Sequence, residues 1–415
     1  MQAVLGIGFF MALAWILSES RAEVRWRGVG IGLAIQLLLA LLLLRVPVIS
    51  QSLLMLNEVV YAVEAATSAG AGFVFGYLGG GDAPFEVDRQ GALYIFAFRV
   101  LPQILLFSVL VAILWYWRVL PLLVRGLGSV LRRAMGVGGA VGIAASASVF
   151  LGMVEAPLVI RGYLQRLSRS ELFTVMTCGM STVAGSIMVL YANVLMDVIP
   201  GALGHILAAS LINAVGAVFI SRLMIPPDAV DGAAASDEAA DGLRYSSFMD
   251  AITRGTYDGL RLAVNVGAML VVLVSLVALV NHLISTLSVG GDPLTLERMM
   301  GWVFSPVAWL MGIPWLEAQA AGALLGTKLI LNELVAYLLM AGLPEGTLSS
   351  ASVLVMTYAL CGFANFGSLG ILLGGLATLV PERREEILRI GPKTLLSGTI
   401  VTCNTGAVVA LVSLV

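Results

Sequence analysis

Two carboxylates stand in sequence that offers them no water. Glu155 belongs to Gly152-Met153-Val154-Glu155-Ala156-Pro157, and the surrounding run 141–160 carries no other charge. Glu333 ends a second such stretch, Lys328-Leu329-Ile330-Leu331-Asn332-Glu333, also embedded in aliphatic residues. A carboxylate accepts hydrogen bonds from hydroxyls, and an ionisable group at membrane depth is costly and by default marks a substrate or ion pathway. Lys328 reads as a counter-charge to Glu333 or another buried acid, or as a snorkelling side chain, the structural role being preferred.

The elements that position these groups must lie in a bilayer. Of 415 residues, 59% are hydrophobic and 12% charged, against about 45–50% and about 25% in soluble domains. Such a chain cannot cover its surface with polar groups, so it is an integral membrane protein. The net charge of −2 offers no basic face to nucleic acid. Cys178, Cys361 and Cys403 lie in apolar segments without pairing or metal spacing and read as small buried hydrophobes. His205 and His282 adjoin no ligand cluster. With no nucleophile–base pair or metal set, enzymatic chemistry is not expected, nor is a cofactor beyond a coupling ion.

Apolar runs of spanning length, about 20 residues, occur near 2–18, 28–45, 92–117, 171–195, 200–224, 260–282, 351–380 and 394–415. The basic cluster Arg21, Arg25 and Arg27 follows the first run rather than preceding it, unlike a cleaved signal peptide. Basic loops stay cytoplasmic. Arg118, Arg125, Arg132 and Arg133 therefore put the end of the third span inside, and Arg161, Arg166 and Arg169 are inside as well. Segment 138–160 starts and ends on one side and is too short to cross twice, so it enters and returns as a hairpin. The stretch 226–258, with Pro226-Pro227, reads as a cytoplasmic loop. Arg383, Arg384, Arg389 and Lys393 are inside, which makes 303–342 a second hairpin, entered from outside, with its tip near Lys328–Glu333. Both termini are placed outside. A helix along the outer interface is expected at 48–70. Within the third span, Arg99 and Pro102 read equally as functional groups or as a snorkelling arginine and a membrane kink.

The segments after the two hairpins resemble each other. Ser181-Thr182-Val183-Ala184-Gly185-Ser186-Ile187 follows Cys178, and Gly362-Phe363-Ala364-Asn365-Phe366-Gly367-Ser368-Leu369 follows Cys361. Each half thus runs hairpin, glycine-interrupted span, final span, entered from opposite sides, which is the mark of an inverted-repeat transporter with a midplane site. The expected class is an all-α integral membrane protein with two re-entrant helical hairpins and interrupted spans. It divides into N-terminal spans with an interfacial helix (1–135), a first repeat (136–225), a cytoplasmic loop with a scaffold span (226–300) and a second repeat (301–415).

At these residues the sequence resembles the concentrative nucleoside transporters. The likeness spans nearly the whole chain. It rests on Gly152 with Glu155-Ala156-Pro157-Leu158-Val159, on Leu262-Ala263-Val264-Asn265-Val266-Gly267-Ala268-Met269, on Gly312-Ile313-Pro314-Trp315, on Asn332-Glu333-Leu334-Val335-Ala336-Tyr337 and on Cys361-Gly362-Phe363-Ala364-Asn365. It implies cation-coupled uptake of nucleosides by alternating access, in a homotrimer of the bacterial inner membrane. It also implies ribose recognition by Glu333, Asn365 and Ser368, apolar walls at Phe363 and Leu262, and Glu155 and Ile187 at the end of the site. The sodium ligands it implies are Ser148 and Thr182 by side chain, with carbonyls of Ser148, Leu151 and Val183.

Two departures matter. Where the family usually has glutamine and threonine to engage the base, this chain has Met153 and Val154, so altered base selectivity, or another ribosylated or polyol-like cargo, is expected. Where the family commonly has asparagine at the sodium site, this chain has Ser148, and proton coupling through Glu155 or Glu333 stays open beside sodium.

Overall fold

The first two apolar runs form α1 (Gln2–Ile16) and α2 (Trp26–Arg45). The computed structural model describes residues 1–86, 95–227, 244–289 and 292–414. Pro47 opens α3 (Pro47–Phe75), where its missing N–H costs nothing, and this 29-residue helix covers the one expected at 48–70. The third span starts as α4 (Phe96–Arg99) and continues as α5 (Leu101–Tyr116), with Pro102 harmless in its first turn. Residues 92–94 of the expected span lie outside the described residues.

The next helix, α6 (Val119–Met135), is not among the expected spans. It buries Leu120, Val124, Gly128, Leu131 and Met135 along one stripe, while Arg125, Arg132 and Arg133 break its apolar run. The first hairpin follows as α7 (Gly139–Ala147), a turn over 148–154 and the short α8 (Glu155–Val159), as the segment 138–160 requires. A capping box at Ser168, whose Oγ accepts from the Glu171 N–H at 3.0 Å, starts α9 (Arg169–Ser181). After a break at 182–184 come α10 (Gly185–Val194) and α11 (Ala202–Met224).

The second half opens with α12 (Phe248–Ile284), 37 residues long and so reaching well before the expected 260–282. The expected loop 226–258 therefore ends at Ser247, and its residues 228–243 lie outside the described residues. A two-residue antiparallel pair, β1 (Ser288–Val289) with β2 (Asp292–Pro293), leads into α13 (Leu296–Leu310). Between α13 and α14 (Trp315–Ile330) the chain bends by 117°. Gly312 makes that bend at φ +103, and Pro314 caps the new helix. The second hairpin is thus α14 with α15 (Glu333–Ala341), and the expectation of 303–342 is corrected at its start: 303–310 belongs to a separate helix. The chain closes with α16 (Ser350–Leu360), a break at 361–365, α17 (Phe366–Leu379) and α18 (Arg384–Leu414).

The order span, amphipathic helix, hairpin, broken span, span therefore occurs twice, as α5 to α11 and as α12 to α18. The core lies in the later members of each series. The apolar windows of α9–α10, α11 and α18 are 89%, 83% and 83% buried, against 6% for α12. α12 instead runs along α5, where a Cβ on Gly255 or Gly259 would come within 2.8 Å of the α5 backbone. Its remaining surface is an apolar wall turned outward, with Val264 and Val271 among its exposed residues.

Candidate functional site

Each broken span frees backbone groups at its interruption, and at membrane depth these must find partners inside the protein. The two breaks find one another. The Phe363 N–H donates to the Thr182 carbonyl at 3.3 Å, so the second interruption lies directly on the first. Gly362 permits this approach, since a Cβ there would stand 2.7 Å from the Ser181 carbonyl oxygen. Helix α11 serves both: Ser210 Oγ accepts from the Val183 N–H at 3.2 Å, and Asn213 Nδ2 donates to the Cys361 carbonyl at 2.6 Å. The first hairpin closes the crossing from the other side, with the Phe150 carbonyl accepting from the Gly185 N–H at 2.9 Å.

Glu333 is the first residue of α15, where the helix N-terminus favours a carboxylate. Asn332 caps that helix, its Oδ1 accepting from the Val335 N–H at 2.9 Å. The carboxylate is buried and held from two further helices. Asn365 Nδ2 donates to Oε2 at 2.8 Å, and the Tyr191 hydroxyl donates to Oε1. Asn365 is itself the cap of α17, its Oδ1 accepting from the Ser368 N–H at 2.7 Å. One amide thus sets the broken helix and orients the acid. Phe363 and Ile187 are buried beside these ends, Ile187 in the first turn of α10 and one turn before Tyr191. Leu262 stands half-buried on α12, two turns before Met269. A Cβ on Gly367, in the first turn of α17, would meet Met269 Cε at 3.4 Å, so this stretch of α12 faces the same region.

Tyr191 was not among the expected site residues. Its ring lies 5.1 Å from that of Tyr337, whose hydroxyl donates to the Thr357 carbonyl at 2.7 Å. The i, i+4 spacing from Ile187 is the signal that places it on the same face.

Lys328 does not neutralise Glu333 by contact. Its buried Nζ donates to the Ala359 carbonyl at 2.8 Å and to Thr402 Oγ1 at 2.9 Å. A cation at the C-terminal end of α16 completes that helix where the break leaves its carbonyls open.

At the first tip, Glu155 folds back over Gly152, where any Cβ would collide with its carboxylate. Met153 is buried against Gly179 of α9, whose Cβ position lies 3.2 Å from Met153 Cβ. Val154 seats its methyls against Gly375 of α17. The pair is apolar and locks the tip between the two broken spans. Ser148 and Thr182 do meet: Thr182 Oγ1 donates to the Ser148 carbonyl at 2.8 Å and to the Cys178 carbonyl at 2.9 Å. Ser148 Oγ turns back to the Ala145 carbonyl at 2.8 Å. Leu151 and Val183 are buried in the tip turn and the break, respectively. This donor set is all oxygen, which suits a hard monovalent cation. Among the described residues no cluster of His, Cys, Asp or Glu has the make-up of a metal centre.

Comparisons with known proteins agree with this architecture. The family profile described as the Na+ dependent nucleoside transporter C-terminus matches residues 205–410, its N-terminal counterpart matches 5–78, and one described as nucleoside recognition matches 97–197. The nucleoside permease NupC of Helicobacter pylori is 33% identical, with 96% of this chain and 94% of that protein covered. The sodium/nucleoside cotransporter 1 of Mus musculus is 30% identical, covering 98% of this chain and 63% of that protein. The structure of CNTnw in an inward-facing substrate-bound state superposes with a TM-score of 0.89 at 35% identity, over 99% of this chain and 98% of that one. The chain belongs to the concentrative nucleoside transporter family, whose members are membrane transporters and not enzymes.

Proposed function

We propose that this protein imports nucleosides across a bacterial inner membrane by cation-coupled symport, with sodium as the driving ion. The observation that carries the reading is the Glu333 carboxylate, buried at the crossing of two broken spans and already held by Tyr191 and Asn365. Vicinal ribose hydroxyls are donors that fit its remaining lone pairs, and Asn365 and Ser368 add groups that donate and accept. A buried carboxylate gains most from a ligand that completes its hydrogen bonding. Thr182 Oγ1 and the carbonyls of Ser148, Leu151 and Val183 would hold the cation. Proton coupling through Glu155 or Glu333 is the competing arrangement. The homotrimer is implied by the family resemblance, and the arginine-rich turns support a topology with both termini on the periplasmic side.

A second reading is favoured by Met153 and Val154. Because their side chains fill glycine notches, the first tip presents no amide or hydroxyl from these positions to a base. That supports relaxed base selectivity, or another ribosylated or polyol-like cargo.

Uptake by proteoliposomes settles both. A labelled nucleoside panel is offered with a sodium gradient, with a proton gradient, and with neither. Sodium-driven accumulation of ribonucleosides is expected. Absence of uptake and of competition by every nucleoside sinks the first reading, and competition by ribosylated non-nucleosides moves the assignment to the second.

A further inference from the structure

We propose that Gln36 of α2 is a positioning residue: it sets the register of α18 and thereby holds the second break in its ligand-binding geometry. The role rests on the nucleoside reading of Glu333 and Asn365. The buried residues of α2 are Val29, Gly32, Gln36 and Ala40. In a bilayer a stripe of small apolar residues brings helices close but does not fix their register, since lipid is as apolar as the stripe. Gln36 is the polar member of that stripe, and α18 reads both ends of its carboxamide. Nε2 donates to Thr405 Oγ1 at 3.1 Å, and Oε1 accepts from Asn404 Nδ2 at 2.9 Å. The amide lies on Gly216 of α11, where a Cβ would stand 2.8 Å from Nε2. Three helices thus meet at one side chain.

Stability alone does not account for this contact. Gln36, Asn404 and Thr405 are all 0% exposed, and Asn404 Oδ1 accepts no hydrogen bond from any described residue. A buried acceptor without a partner is costly, and apolar side chains of the same shape avoid that cost. Buried amides kept at such positions fix register, as a single asparagine does in a coiled coil.

Register matters here because α18 is the bed of the second break. Gly398, Thr402 and Gly406 recur every four residues and share one face. A Cβ on Gly398 would lie 3.2 Å from Ala364 Cβ, and one on Gly406 3.2 Å from Ala359 Cβ. Between them, a Cβ on Gly362 would meet Thr402 Cγ2 at 2.8 Å. Thr402 Oγ1 also accepts from Lys328 Nζ at 2.9 Å, on the hairpin that bears Glu333. Thr405 lies one turn beyond Thr402, so the amide lock acts on the same stretch of helix. A slip of one residue moves α18 by about 1.5 Å and turns it by about 100°. That takes Thr402 off both partners and displaces the peptides that carry Asn365.

The test uses the full chain, in detergent and in proteoliposomes. Gln36→Met keeps the side-chain length and removes both hydrogen bonds. Because it strands two buried polar groups, it is paired with the triple variant Gln36→Met, Asn404→Leu, Thr405→Val, which strands none. The triple variant should match or exceed the wild-type thermal midpoint, yet bind ribonucleosides about tenfold more weakly at equilibrium. In uptake, its half-saturating nucleoside concentration should rise by the same factor at an unaltered maximal rate. Wild-type affinity in the triple variant overturns the proposal. A fall in maximal rate alone, the mark of fewer folded carriers, overturns it as well. Hydrogen exchange gives a readout that needs no ligand. The Phe363 and Asn365 amides of the second break should exchange faster in the triple variant, and the Val183 and Gly185 amides of the first break should change less. An equal change in both breaks, or none in either, overturns the proposal. Selective exchange in a protein that binds no nucleoside upholds the role of Gln36 and sinks only the cargo reading.

Discussion

The two halves of the molecule solve the same problem with different charges. Each has a broken span whose first part ends under a hairpin tip, where its last carbonyls lack the next turn of their own helix. In the second half a lysine on the hairpin, Lys328, reaches the end of α16 and donates to the Ala359 carbonyl. In the first half the corresponding end of α9 has hydroxyl and backbone groups instead of a lysine: Thr182 Oγ1 lies within hydrogen-bond reach of the Ser148 and Cys178 carbonyls. One half thus carries a fixed cation at its helix end, and the other presents hydroxyl and carbonyl oxygens there, the set proposed above to hold the coupling ion. The acids differ to match. Glu333 is fixed by two side chains from other helices, whereas Glu155 rests on its own Gly152 at a tip wedged by apolar contacts.

The sharpest way to break this comparison is at Glu333. Glu333→Gln should cost about 1.5–3 kcal/mol of ligand binding, roughly a 10- to 100-fold loss of ribonucleoside affinity in equilibrium binding. Unchanged affinity would remove the residue from the site. Lys328→Met should leave the Ala359 carbonyl and Thr402 without a donor and lower stability by about 1–3 kcal/mol. The thermal midpoint measures this, and an unaltered midpoint would show that α16 does not depend on a fixed cation. Thr182→Val should raise the half-saturating cation concentration about tenfold, near 1.4 kcal/mol, while nucleoside affinity at saturating cation stays the same. A uniform loss at every cation concentration would place Thr182 in the frame of the site and not in the ion path.

Smaller effects refine the picture. Met153→Gln with Val154→Thr should shift base preference by roughly 10-fold or less, read from competition among purine and pyrimidine nucleosides, and an identical profile would show that the tip does not face the base. The smallest concerns Glu19, which joins the α1–α2 turn to Arg169 at the start of α9 and to Lys393 on α18. The hydrogen bond from Arg169 and the nearby Lys393 ammonium hold its carboxyl down at about 2, from an ordinary 4.5. A lowered folded-state value means that this contribution is complete above about 4.5 and disappears as pH falls toward about 2. Glu19→Gln should therefore lower the midpoint slightly at pH 7, as for exposed ion pairs worth about 0–1 kcal/mol, with the gap closing in acid. A gap that persists in acid would assign the loss to packing.

The hairpins, the broken spans and the central acid were legible because charge inside apolar sequence and the parity of basic loops are constraints, not tendencies. The amphipathic helices α6 and α13 were not. Arg125, Arg132 and Arg133 interrupt the apolar run of one, although Leu120, Val124, Leu131 and Met135 keep helical spacing, and the apolar end of the other runs on toward Trp315, so that 303–310 reads as part of the hairpin. Tyr191 escaped because a tyrosine in an apolar span reads as packing until its hydroxyl has a partner, and that partner lies 142 residues away. For Lys328, sequence placed a cation five residues before an acid and invited a salt bridge. Only the fold shows the helix end that competes for it.

The bond from the Phe363 N–H to the Thr182 carbonyl makes reciprocity a property of the backbone. Any bound group that stabilises the 182–184 peptides in this orientation also stabilises 361–365, where Asn365 addresses the Glu333 carboxylate. The free energy of that coupling is single-valued: if occupancy of the first break tightens ligand binding at the second by some factor, the ligand tightens the first by the same factor. A carrier built this way does not need a long relay between its two breaks, because one hydrogen bond joins their backbones directly.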